Sequence, residues 1–177
     1  MPTTLEEKLA ILQNYSACDV SDALLKLQPQ TPGTPARAGY LADLTLHPSP
    51  SPINHPKIKT IAPASTIKFL PKNAPDPPLP LPTQTHHPTL IPKSTPWADL
   101  TPAHTIMVLE QPPHQHCAVV GGINALRMKQ LGARGVVVGG RVRDMAEIGA
   151  SGLGVWARGG STIGSGAEAR AGVWGGG

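Results

Sequence analysis

With 177 residues, 40% of them apolar and only 3% aromatic, the chain is long enough for one domain of ordinary size, and its core must rest on Val, Leu, Ile, Ala and Met. The formal net charge of +4 raises a nucleic-acid reading, but Lys and Arg stand singly without interleaved aromatics, so no nucleic-acid partner is expected; a mildly basic pocket for a small carboxylate fits as well. Cys18 and Cys117 form neither a disulfide framework nor a CxxC pattern, and no apolar run approaches the ~20 residues that span a bilayer, so a cytoplasmic setting without a membrane partner is expected.

In chain order, a first helix is expected over residues 4–14. Leu5, Leu9, Ile11 and Leu12 fall near helical spacing, Thr3 or Thr4 can cap it, and Glu6 and Glu7 occupy its first turn. The N-terminus therefore reads as an amphipathic helix, not a signal peptide. A second helix is expected to start in CDVSDALLKL, with Asp19 or Ser21 as its N-cap and Gln28-Pro29 closing it. Residues 30–58 are rich in Pro, Thr and Ala and read as loop. A strand over 64–70 ends at Pro71. The stretch PKNAPDPPLPLP is half proline, which excludes helix and inner strand. It reads as a surface insertion, residues 71–96, within a single domain covering residues 1–177.

Beyond the insertion the pattern becomes regular. Strands are expected over 105–109, 116–120, 135–138 and 153–157, and helices over 123–131 and 145–150, with Gly132 as a C-terminal stop. Strand–helix–strand–helix–strand with short connections predicts an α/β fold with parallel strands. The apolar runs AVV and VVV suit strands covered on both faces.

In such a sheet ligands gather beyond the carboxyl ends of the strands. Two predicted loops leave neighbouring strands there, one carrying Gly121, Gly122, Ile123 and Asn124, the other running from Gly139 to Asp144. The first opens a helix, so its free N–H groups suit a carboxylate or phosphate, or else Gly-Gly only makes a tight turn. The second delivers Arg143, a forked donor for a carboxylate or oxyanion, and Asp144, an oxygen ligand for a hard cation such as Mg²⁺. The alternative is that Asp144 caps the following helix and Arg143 is a solvated charge. His114, His116 and Cys117 are too few for a tetrahedral zinc site, His86-His87 reads as surface, and Ser161, Thr162 and Ser165 lie in a polar loop without a nucleophile-elbow setting.

The stretch AVVGGINALRMKQLGARGVVVGGRVRDMAEIGASGLGVWARG resembles the signature region of the RraA-like family, most specifically GG-x-x-A followed about twenty residues on by GRVRD. STIGSGAEA resembles fungal-type members, and CDVSDALLKL, IAPASTIKF and WADLTPAHTIMVLEQP resemble its upstream elements. The family takes in regulators of ribonuclease E activity, 4-hydroxy-4-methyl-2-oxoglutarate aldolases and oxaloacetate decarboxylases. The resemblance implies a three-layer β/β/α swivelling sandwich assembled as a homotrimer or hexamer. It implies that the amides of Gly121 through Asn124 hold a substrate carboxylate, that Arg143 binds substrate and stabilises an enolate oxygen, and that Asp144 anchors Mg²⁺ or Mn²⁺. The implied activity is metal-dependent cleavage of pyruvate-type keto acids; the alternatives are a non-catalytic protein-binding regulator and an inactive truncated relative. No Schiff-base lysine is required, so Lys129 reads as surface. Asn124 and Leu126 replace residues that are often Met or Leu and Thr in relatives, and Gly139 stands where relatives usually carry Asp. Relatives also continue with further strands where this chain ends in AGVWGGG, so an incomplete C-terminal part and an unpaired sheet edge are expected.

Overall fold

The computed structural model describes residues 3–29, 32–48, 59–79, 81 and 87–175. His86, part of the loop at 30–58 and part of the proline-rich insertion lie outside the described residues. The chain divides into two compact units, Met1–Asp43 and Leu44–Gly177.

In the first unit, helix α1 (Leu5–Leu12) begins at a capping box: Thr4 Oγ1 accepts from Glu7 N while Glu7 accepts from Thr4 N. Helix α2 (Ala17–Leu27) begins the same way at Ser16 and Asp19. Asp19 is therefore the third helical residue and Ser21 lies inside the helix, which corrects the expected N-cap. The reason is that Ser-x-x-Asp satisfies two orphan N–H groups at once, more than a lone cap can. Ser21 Oγ instead donates to Ala38 O at 3.0 Å.

Among the described residues the second unit is built on one sheet of eight strands. In chain order they are β1 (Thr45–His47), β2 (Ala64–Pro71), β3 (Thr89–Leu90), β4 (Ile106–Glu110), β5 (Ala118–Val120), β6 (Gly135–Val142), β7 (Val155–Gly160) and β8 (Ala169–Trp174). The order across the sheet is β1-β7-β6-β4-β2-β8-β3, with β5 paired to β6 off this path. β2, β4, β6 and β7 run parallel, as do β5 and β6; β1, β8 and β3 join antiparallel. Helices α3 (Gly122–Gln130) and α4 (Met145–Ser151) connect β5 to β6 and β6 to β7. The mixed α/β class with parallel strand–helix–strand units is thus what the residues form.

The strands and both helices close over one core. Ile67, Phe69, Met107, Leu109, Val136, Val138 and Val155 supply it from the sheet, and Ala125, Met128 and Ile148 from α3 and α4. Each such large side chain contributes about 1.5–3 kcal/mol on burial. Phe69 meets Trp97 edge to face, with ring centroids 5.5 Å apart.

Three expectations are corrected. β6 does not end at residue 138 but runs through Gly139 and Gly140 to Val142. These glycines read as a loop because glycine is a poor strand former, yet here they pass close to a neighbour: a Cβ on Gly140 would collide with the Gln111 side chain. The register slips between Val138 and Arg141, where β6 exchanges β4 for β5 as its partner on one side. Second, β1 forms inside the expected loop at 30–58. Third, the C-terminal segment, for which no strand was expected, forms β8, which lies between β2 and β3 and pairs with both. β3 itself falls in the proline-rich stretch, at a sheet edge where missing N–H groups are tolerated.

Candidate active site

The carboxyl ends of β5, β6 and β7 converge. Arg143 N donates to Val120 O at 3.0 Å, bringing the turn after β6 beside the turn after β5. Ser161 N donates to Val142 O at 2.9 Å, and Ala118 N to Ile163 O at 2.8 Å, which adds the segment after β7 as a third wall. That segment was expected to be a loose polar loop; instead Ser161 Oγ accepts from Ile163 N, and Gly164 bridges Ala118. A Cβ on Gly164 would lie 3.1 Å from Arg143 Nη1, so the guanidinium rests close over this glycine and would have to shift slightly for a side chain there.

Asp144 sits in the left-handed region, φ 58°, a conformation that costs energy outside glycine but which Asp adopts more readily than most residues. Its position precedes α4, yet its side chain makes no cap hydrogen bond to that helix. The carboxylate turns back across the strand ends, where Oδ2 accepts from Gly122 N at 3.1 Å and lies 3.7 Å from Arg143 Nε. The pairing of the two turns is as expected, and the reading of Asp144 as a helix cap is not met. Both charged side chains are more than 40% exposed, so their mutual attraction is weak and they remain open to a ligand.

The helix start differs in one respect from a four-amide cradle. Gly121 N is taken by Asn124 Oδ1 at 3.2 Å and Gly122 N by Asp144, while Ala125 N bonds to Gly121 O within the helix. The amides of Ile123 and Asn124 are left without an acceptor among the described residues. Two N–H groups at the positive end of α3 are what can receive an anion. Gly121 and Gly122 are buried against the neighbouring turn: a Cβ on Gly121 would lie 2.5 Å from Asp144 Oδ2, and one on Gly122 would collide with Glu147.

Among the described residues no three His, Cys, Asp or Glu side chains form a metal cage. One carboxylate at the site has the chemistry to contact a hard cation. Asp144 offers a hard, exposed carboxylate with Oδ1 unengaged among the described residues, the setting for Mg²⁺ or Mn²⁺, which keep water and take their remaining oxygens from substrate. His114 and His116 are exposed and precede β5, so neither lies on the expected strand. Lys129 is exposed and its Nζ donates to Gly152 O.

Two supporting residues left no signal in the sequence. Gln111, 7% exposed, accepts from Arg141 N at 2.9 Å and donates to Cys117 O at 2.8 Å, tying β4, β5 and β6 together below the site. Glu168 accepts from His116 N and Cys117 N, each at 2.7 Å, and these two bonds hold its carboxyl below the usual carboxylate range. Burial, then the Glu168 charge, push the Cys117 thiol up, which disfavours the thiolate.

At the carboxyl ends of the parallel strands of this mixed sheet, the start of α3, Arg143 and Asp144 lie together, an arrangement with donors for a small anion. The family model described as Aldolase/RraA matches residues 17–175, and the chain belongs to the RraA-like family. Its fold is similar to that of an uncharacterized protein from Pseudomonas syringae pv. tomato, with TM-score 0.66 and 16% identity over 97% of this chain and 66% of that one. It is also similar to Streptomyces coelicolor RraAS2, an unusual member of the RNase ES inhibitor RraA protein family, with TM-score 0.63 and 17% identity over 97% and 72%. The chain thus spans about two-thirds of the length of these relatives. Among curated proteins no match is found. Among the described residues no helix is long and apolar enough to cross a membrane.

Proposed function

We propose that this chain is a divalent-metal-dependent lyase that cleaves pyruvate-type keto acids, by retro-aldol cleavage of 4-hydroxy-4-methyl-2-oxoglutarate, decarboxylation of oxaloacetate, or both. The observation that carries the reading is the meeting of Arg143, Asp144 and the open amides of Ile123 and Asn124 at one strand edge. In this reading the two amides receive the substrate carboxylate and fix its orientation. Arg143, lying over Gly164, stands where negative charge develops on the keto oxygen. Asp144 would hold the cation, which would supply Lewis-acid charge at the keto acid. The carbon–carbon bond on the far side of the methylene from the keto carbon breaks, and its electron pair passes into the enolate of pyruvate. The other fragment leaves as carbon dioxide, or as a second keto acid once its hydroxyl proton is lost. Protonation of the enolate carbon completes pyruvate. The proposal extends to a cytoplasmic homotrimer or hexamer.

A coupled pyruvate-release assay with each substrate tests it, with Mg²⁺ and then EDTA, after subtracting decarboxylation by free metal. Expected is EDTA-sensitive turnover that falls on the order of a hundredfold or more in Arg143→Ala and in Asp144→Ala. Full activity in both variants would sink the site assignment. A second reading, a protein-binding regulator, draws on the exposure of Ile123 (86%) and Leu126 (49%) beside the site. A stable ribonuclease complex without lyase turnover would decide for it.

A further inference from the structure

A cavity of about 420 Å³ lies between the end of β2, the turn after it, the segment after β3 and the start of β8. None of Gly121, Gly122, Arg143 or Asp144 lines it, so it is separate from the strand-edge site. Its charged lining is entirely cationic: Lys72, Lys93 and Arg170, with no carboxylate. Lys72 and Lys93 are exposed and have no ion-pair partner among the described residues. Arg170 is different, with only 12% of its side chain exposed. Its Nη2 donates to Ala74 O at 2.9 Å and to Asp76 Oδ1 at 2.6 Å. Its Nε and Nη1 are shut off from solvent and have no acceptor among the described residues. A guanidinium carries five N–H donors, and buried ones without acceptors are costly and rare. The opposite wall is apolar, formed by the edge-to-face pair of Trp97 and Phe69, and Ser165 adds a hydroxyl.

We propose that this cavity is a separate binding site for a small organic phosphate. Lys72 and Lys93, unpaired among the described residues, with Arg170, whose charge is shared with Asp76, suit an anion, and the Nε–Nη1 edge of a guanidinium matches phosphate oxygens. The Trp97–Phe69 wall takes the apolar body of the ligand, and Ser165 a polar contact. Nε and Nη1 do not open onto the cavity while Nη2 is held by Ala74 O and Asp76 Oδ1; the proposal therefore includes a swing of the guanidinium out of those contacts when the guest binds.

Isothermal titration calorimetry of the full chain tests this with phenyl phosphate, inorganic phosphate and benzoate as probes. Expected is saturable binding of phenyl phosphate, about tenfold weaker in Lys93→Gln and in Arg170→Lys and unchanged in Arg143→Gln. Lys93 is exposed, so its variant reads binding without endangering the fold. Inorganic phosphate binding more weakly than phenyl phosphate supports the apolar wall's part. No saturable binding up to about 10 mM overturns the proposal. So does affinity unchanged in Lys93→Gln but lost in Arg143→Gln, which puts the anion at the other site. Benzoate binding as tightly as phenyl phosphate overturns the phosphate assignment.

Discussion

Gly121 shows how one missing side chain sets the site. A methyl group there would lie 2.5 Å from Asp144 Oδ2, so Gly121→Ala must push the carboxylate off Gly122 N. Displacing one group by about an ångström at a reacting centre costs on the order of a hundredfold in rate. Gly121→Ala is expected to lose lyase turnover by that order while thermal unfolding shows the domain still folded; unchanged turnover would mean the Asp144 position is immaterial. Glu168 makes a different prediction. Its folded pKa lies below the usual value because two backbone N–H groups bond the ionised form. The unfolded chain therefore binds a proton more readily there, so this contribution is present above the ordinary glutamate pKa and disappears as pH falls through the folded value. Urea unfolding against pH is expected to show a loss of stability on acidification that is shallower in Glu168→Gln. Identical profiles would show that the two bonds contribute nothing.

Among the elements, β6 carries most of the architecture. It serves β4 and β7 over its first half and β5 and β7 over its second, and the exchange happens at Gly139-Gly140 under the Gln111 side chain. Gln111 answers the Arg141 N–H and the Cys117 carbonyl inside the protein. Gln111→Leu keeps the volume but strands both groups, at a cost of about 1–3 kcal/mol each. Denaturant unfolding is expected to register a loss of that order, and a stability equal to the parent's would remove Gln111 from its bracing role. A Cβ on Gly139 would lie 3.3 Å from Leu109 O, so a side chain there needs the strands to shift slightly.

At the scale of the whole molecule, the C-terminal segment is part of the sheet rather than an appendage. β8 pairs with β2 across Ile67 to Pro71 and carries β3 on its other side. Cutting the chain after Gly160 would strip β2 of that neighbour and uncover Phe69 and Leu70, both buried. The shortened chain is expected to lose its cooperative thermal transition and to aggregate, as unpaired edges do. A sharp transition and a monodisperse product would show that β8 is dispensable.

What the sequence by itself determined is the alternation of strands and helices from residue 105 onward and the meeting of Gly121-Gly122 with Arg143-Asp144. Both follow from local signals: apolar runs, glycine stops and the rule that parallel strands present their carboxyl ends together. The tertiary structure decided the rest. β8 was unreadable because its Gly172 and short apolar run gain strand character only from partners a hundred residues away. The continuation of β6 through two glycines depends on Gln111, and the number of open amides at α3 depends on Asn124 and on Asp144 turning back across the edge. Arg170 and its cavity likewise arise where β2, β8 and the 72–76 turn meet. Pairing and hydrogen bonds over such separations leave no periodic trace in the chain, because periodicity records only which face of an element is covered, not what covers it.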